Sequence, residues 1–226
     1  MWYRGHANAE WTLTPRILRP ENEITVADED ELFNEFIRRG RSMAHLARNL
    51  DSYFLMQHHS IPTRLLDWTD SCLVALFFAL KNRSTDAAVW ALNPLWLNWN
   101  SVGQYSLMDP DIDPNAEAFL FDRIKQLLRQ QPESSPPLLS MAVRPPWIGG
   151  RMFAQRSMFT LHGVSDIPIE TYPLVDKGSP LCRIVVRRQD RSDVLCGLRA
   201  CGITETAIFP DLDGLAKELV AEYGGF

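Results

Sequence analysis

The segment Leu55–Ala79, LMQHHSIPTRLLDWTDSCLVALFFA, decides how the rest of the chain is read. It starts apolar and then sets Gln57, His58 and His59 side by side. Pro62 follows within Ile61-Pro62-Thr63, and proline's fixed φ and missing N–H end any helix that runs into it. Arg64-Leu65-Leu66-Asp67-Trp68-Thr69 then mixes charge, bulk and hydroxyl within six residues. Asp70 and Ser71 are good N-caps and predict a buried helix over Cys72–Leu80. Polar side chains pressed between apolar flanks cost free energy to bury unless they are partnered or used. The segment is therefore the expected place for a site.

The flanking chain of 226 residues is long enough to bury a sizeable core, as one large domain or two small ones. Its hydrophobic content of 46% and charged content of 23% are those of a soluble globular protein. A net charge of −5 argues against a dedicated nucleic-acid binder, though not against a local basic groove. Arg183, Arg187, Arg188 and Arg191 would supply a patch for a nucleic-acid strand, and a solvated face explains them better. Cys72, Cys182, Cys196 and Cys201 form no C-x-x-C pair and are expected to be reduced and mostly buried in a cytoplasmic protein. The longest apolar run, Cys72–Leu80, is half of the roughly 18 residues a membrane span needs. No basic-then-apolar leader follows Met1, so a soluble chain not secreted by that route is expected.

Outward from the central segment, Met1–Gly5 reads as a strand and Glu10–Arg19 as a second strand or an extended loop. Asp28 or Asp30 caps a helix over about 31–50, with Gly40 as its bend or break. A short helix spans about 52–58. Ala87–Leu92 reads as a central strand, 95–114 as a loop with at most one helical turn, and Asn115 as the cap of a helix to about Gln130. Gln131–Pro137 and Arg144-Pro145-Pro146 are breakers. Strands are expected at 158–162, 181–186 and 204–209, and helices at 190–201 and 212–223. Strands and helices interleave without a strict βαβ rhythm, which predicts a mixed α+β domain.

Taken together, these motifs resemble the FRG domain family, named for an aromatic-Arg-Gly motif that stands here as Tyr3-Arg4-Gly5. His6, Trp11, Leu13 and Pro15-Arg16 continue the likeness. Gln57 to Thr69 is its most distinctive block, and Val74 to Ala79 extends it. Arg151-Met152-Phe153-Ala154-Gln155 with Phe159-Thr160, and Phe209 to Gly214, resemble two further blocks, so that the likeness covers essentially the whole chain, 1–226, as one domain. A looser likeness extends to ADP-ribosyltransferases, in which a first strand bears Arg or His, a second ends in hydroxyls that open a helix, and a late strand bears an acid or amide. That likeness implies a split sheet flanked by helices, with NAD as substrate. It also implies a nucleic-acid or protein acceptor, and a toxin or phage-defence effector with an antitoxin or defence-system partner. Arg4, His58 and Gln155 then stand at catalytic positions, and Tyr3, Arg4, Gly5, Gln57, Arg64, Asp67 and Thr69 at cofactor-binding ones.

The residues themselves permit this chemistry. Arg4 suits bidentate contacts to phosphate or ribose, and Gly5 beside it permits close approach to the backbone. His58 and His59 lack a third ligand at metal spacing, so no metal is expected. Arg64 is read as a second anion contact or as the partner of Asp67 in a buried ion pair. Asp67–Ser71 is read as a phosphate-binding helix start, a plain cap, or both. Gln155 is neutral, and Glu170 is the nearest downstream carboxylate that could replace it. No G-x-S-x-G, P-loop or G-x-G-x-x-G motif occurs. A non-catalytic ligand-sensing or protein-interaction module that keeps the pocket is the alternative.

Overall fold

Among the described residues six strands pair into one sheet: β1 (Trp2–His6), β2 (Leu65–Thr69), β3 (Ala87–Leu92), β4 (Met141–Val143), β5 (Ser157–Leu161) and β6 (Leu181–Val186). Their order is β4-β5-β2-β1-β3-β6, and every neighbouring pair is antiparallel. The computed structural model describes residues 1–81, 84–129, 139–146, 148–163, 167–172 and 181–224. The helices are α1 (Glu29–Gly40), α2 (Leu50–His58), α3 (Cys72–Ala79), α4 (Pro94–Val102), α5 (Pro114–Leu128), α6 (Gly150–Gln155), α7 (Arg191–Ala200), α8 (Glu205–Ile208) and α9 (Leu212–Tyr223). The architecture is mixed α+β, as the interleaving of elements predicts. No described helix is long and apolar enough to cross a membrane.

The alternation along each strand sorts the core into layers. Leu66 and Trp68 of β2 pack with Trp2, Trp90, Trp96 and Leu97, in a cluster that includes α4. Leu65 of the same strand joins Phe33, Phe54, Leu120 and Phe159, in a cluster built with α1, α2 and α5. A third cluster joins Ala75 and Ala79 of α3 to Ala87 and Val89 of β3 and Leu198 of α7.

The ladder is uneven at its centre. β1 pairs with β3 at five positions and β2 with β5 at five, but β1 and β2 meet in register only at Tyr3↔Thr69. Beyond that point the two central strands part. The sheet is therefore one continuous unit that opens in its middle, and the expected split is confined to this seam.

Several local expectations are corrected. Gly40 ends α1 outright, and α2 starts afresh behind an Asn49 cap whose side chain accepts from Ser52 N. The expected loop at 95–114 starts instead inside a nine-residue helix, α4 (Pro94–Val102), because Asn93 caps it and Pro94 occupies its first turn. Asp113, not Asn115, caps α5. Thr204–Phe209 is no strand: the Thr204 hydroxyl accepts from Ala207 N and opens the short α8. Glu10–Arg19 is a loop with one 3-10 turn, and β4 and α6 are elements that the sequence reading did not resolve. All four cysteines are free and exposed: Cys182 lies on the sheet's outer strand β6, Cys72 opens α3, and Cys196 and Cys201 lie on and just after α7. Gln131–Pro137 lies outside the described residues.

Gly5 has a packing reason. A Cβ placed on it would stand 2.0 Å from the Ala75 carbonyl oxygen and 2.5 Å from Ala79 N, so α3 can lie this close to β1 only over a bare Cα. Gly5→Ala should lower the unfolding free energy by about 1–3 kcal/mol or more in urea titration. A loss below about 0.5 kcal/mol, the usual range of a neutral surface change, would contradict this packing.

Candidate functional site

The parting of β1 and β2 opens a cleft of about 570 Å³. Its floor comes from the two strands, one wall from the end of α2, and the other from α3 with the residues that follow it. Tyr3, Arg4, Gly5, Gln57, Asp67 and Thr69 all line it, and so do His58 and Gln155.

Arg4 spans the gap that the missing ladder leaves. Its Nη1 donates to the Asp67 carbonyl oxygen at 2.6 Å, the kind of bond a neighbouring strand would otherwise supply. Its Nε donates to His6 Nε2 at 3.0 Å, and His6 Nδ1 in turn contacts the Trp11 carbonyl at 3.1 Å. These contacts require the Nδ1–H form of a neutral imidazole. Burial first, and then the Arg4 charge, depress the His6 pKa from 6.5 to about 3. Burial also lowers Arg4 to about 10, against the pull of Asp67.

The Asp67 carboxylate faces the cleft, with its side chain 58% exposed. Gln57 Nε2 donates to Asp67 Oδ2 at 3.0 Å, whereas Arg4 Nη1 stays 3.8 Å from the same oxygen. The surrounding protein raises the Asp67 pKa by desolvation, and Arg4 and Gln57 oppose that rise. Gln57 is itself oriented, because the Thr63 hydroxyl donates to its Oε1 at 2.6 Å. Desolvation and the neighbouring His59 lower His58.

Arg64 is the expected site residue that the structure places elsewhere. It is 1% exposed and paired with Glu29 rather than Asp67, with Nε to Glu29 Oε2 at 2.7 Å. Its amide donates to Glu29 Oε1 at 2.9 Å and its Nη1 to the Gly163 carbonyl at 2.9 Å. Tyr53 OH donates to Glu29 Oε1 at 2.5 Å. Burial pushes the Glu29 carboxyl up, and Arg64 and Tyr53 pull against it. Arg64 is thus a core anchor, not a ligand contact.

Residues 1–88 match the FRG domain family. The likeness to that family thus rests on these N-terminal residues. No curated protein and no solved structure matches the chain. The FRG match covers Arg4, Gln57, His58, Asp67 and Lys81, together with the Arg64–Glu29 pair, and ends inside β3. The blocks at 151–160 and 209–214 lie beyond it.

Outside the FRG match, Gln155 ends α6 instead of standing on a strand, and its Nε2 reaches the Ile208 carbonyl at 3.4 Å. Glu170 does not line the cleft, and both its oxygens accept from Leu13 N at 3.1 Å. Ser71 caps α3, accepting from Val74 N, and Asp70 pairs with Arg156. Trp68 is core, its Nε1 donating to Thr160 Oγ1 at 3.1 Å. The Arg183 cluster is engaged locally: Arg183 donates to the Ala9 carbonyl and Arg187 pairs with Asp190. Among the described residues no cluster of His, Cys, Asp or Glu is placed to hold a metal ion.

The sequence reading missed three cations of the cleft wall: Arg16, Arg19 and Lys81. Lys81 Nζ lies 4.4 Å from the centre of the Phe209 ring and 5.0 Å from that of Phe78. Burial lowers its pKa, against Glu205. Only Arg16 had a signal, as part of the Pro15-Arg16 motif. Four cations and one carboxylate, Asp67, thus face the cleft among its described lining residues.

The neutral His6 has a consequence for pH. A His depressed in the folded state holds stability above its unfolded pKa, and that stability is lost as pH falls from about 6.5 toward about 3. Between pH 7 and pH 5 His6 should account for about 2 kcal/mol of lost stability. His6→Gln should remove that share, measured by urea unfolding at the two pH values. An unchanged pH dependence would show that His6 is not held neutral.

Proposed function

We propose that the cleft binds a nicotinamide dinucleotide of the NAD type, and that the chain is an ADP-ribosyltransferase-like enzyme that breaks its glycosidic bond. The observation that carries this reading is that Arg4, Arg16, Arg19 and Lys81 line the same cleft as Asp67, the one carboxylate among its described lining residues. Such a concentration of cations, in a chain of net charge −5, favours a polyanionic ligand. Guanidinium groups suit a pyrophosphate, and the cleft volume lies in the range of small-molecule sites.

In the proposed reaction the bond between ribose C1′ and the nicotinamide nitrogen breaks, and its electron pair leaves with nicotinamide. An acceptor oxygen or nitrogen bonds to C1′ and gives up a proton. The sugar passes through a cation-like state, which a carboxylate stabilises. Asp67 fills that role and replaces the late acid expected near Gln155 or Glu170. Gln57 holds the carboxylate at a fixed angle through Oδ2. His58, kept neutral by desolvation, is the base for the acceptor's proton. Gln155 and Thr69 orient ribose hydroxyls, and Arg4 takes a phosphate or ribose oxygen. An effector role in a toxin or phage-defence system, acting on nucleic acid or protein, belongs to the same proposal.

The test is incubation with NAD labelled in the nicotinamide and in the adenylate, alone and with nucleic acid or lysate protein. Asp67→Asn should cut nicotinamide release by about 100-fold or more while NAD still binds. Arg4→Ala should weaken NAD binding by about tenfold or more. Release that persists in Asp67→Asn would remove Asp67 from the chemistry. Tight NAD binding without release in the wild type would leave a ligand-sensing module.

A further inference from the structure

Trp11 keeps 47% of its surface exposed, although the loop that carries it is fixed on both sides. Its carbonyl meets His6 Nδ1, its amide donates to the Asn8 carbonyl at 3.2 Å, and Leu13 and Ile17 beyond it are buried. The ring stands edge-on to His6, with centroids 6.1 Å apart. Leaving this much of a tryptophan in water, on an anchored loop, forgoes burial free energy that the fold gains from other large side chains.

Trp11 borders two cavities. One is the main cleft, and the other is a neighbouring hollow of about 170 Å³ lined by Thr12, Thr14 and Glu21 among others. Arg19 borders both, and Arg16 lines the main cleft. Each guanidinium is oriented through its Nε, Arg16 by Asn22 Oδ1 at 3.3 Å and Arg19 by the Thr14 carbonyl at 3.1 Å. Burial lowers the Arg19 pKa, the Glu21 carboxylate opposes that fall and the Arg16 charge adds to it; on Arg4 the Arg19 charge adds to burial, against Asp67. Three cations facing one space beside an exposed indole form an anion site with a stacking surface.

We infer that Trp11, Arg16 and Arg19 form a nucleotide subsite, in which a base stacks on the indole and its 5′-phosphate sits against the two guanidiniums. Glu21 and Thr12, across the second cavity, supply polar partners for ribose hydroxyls or the base edge. The inference goes beyond the glycosyl-transfer reading, since it requires neither Asp67 nor a nicotinamide. The same chemistry is met by a free nucleotide, by one half of a dinucleotide, or by an unpaired residue of a nucleic-acid strand.

Isothermal titration calorimetry with AMP, adenosine and a single-stranded oligo(dA) tests it, using wild type, Trp11→Ala, Trp11→Phe and Arg16→Ala, each checked for an unchanged melting temperature. AMP should bind, and adenosine more weakly. Trp11→Ala should weaken AMP by about five- to hundredfold, the range for loss of one stacked base. Trp11→Phe should recover most of that affinity, and Arg16→Ala should narrow the gap between AMP and adenosine. Oligo(dA) tighter than AMP identifies a strand as the source, and oligo(dA) no tighter than AMP identifies a free nucleotide or dinucleotide half. Absence of binding by both, or equal binding to wild type and Trp11→Ala, overturns the subsite. Asp67→Asn separates the two proposals, because it should keep Trp11-dependent AMP binding. A protein that binds AMP through Trp11 yet never cleaves NAD retains the subsite and loses the transferase reading.

Discussion

Moving the Arg64 guanidinium out of water into a core where it is 1% exposed costs several kcal/mol, and only complete pairing offsets that cost. Glu29 on α1, the Gly163 carbonyl after β5 and the Leu127 carbonyl near the end of α5 supply the pairing. Tyr53 on α2 closes the network through Glu29. One side chain therefore ties β2 to three helices and to the neighbouring strand. Removing either charge would strand the other in an apolar setting, which makes the arrangement stiff.

That stiffness reaches the cleft through the residue just before Arg64. Thr63 precedes Arg64, its hydroxyl orients Gln57, and Gln57 holds Asp67. Across the seam, Arg4 is fixed by the Asp67 carbonyl and by the neutral His6. The contacts that position the polar groups of the cavity thus run back to Thr63 and His6, which do not line it. The segment around Thr63-Arg64, inside the FRG match, serves the core first and the cleft by consequence, and the opening of the sheet between β1 and β2 makes room for whatever the cleft holds.

Much of this was legible in the chain, and the exceptions are instructive. Pro62, Ser71 and the apolar run after it set α2, the turn and α3 because each signal is local. Thr204–Phe209 misleads because its alternation suits a strand, while the Thr204 cap that decides for a helix is a single side-chain bond. The nine residues of α4 were hidden by an Asn- and Trp-rich composition, although Asn93-Pro94 is a helix start. For the site, Arg4, Gln57, His58, Asp67, Thr69 and Gln155 do share one cavity. Arg64 was misread because its partner, Glu29, lies 35 residues away and belongs to a helix whose buried face gives no hint of a charge. Arg16, Arg19 and Lys81 join the cleft through tertiary packing, which no spacing rule exposes.

The seam between β1 and β2 is proposed here as the ligand-binding cleft of this chain. Backbone amide chemical shifts recorded during titration with NAD test it most directly. The account predicts shifts concentrated at Arg4, Gln57, Asp67 and Thr69, with β6 and α7 unmoved. Saturating NAD that leaves those four amides in place, or that shifts only residues away from the seam, would contradict it.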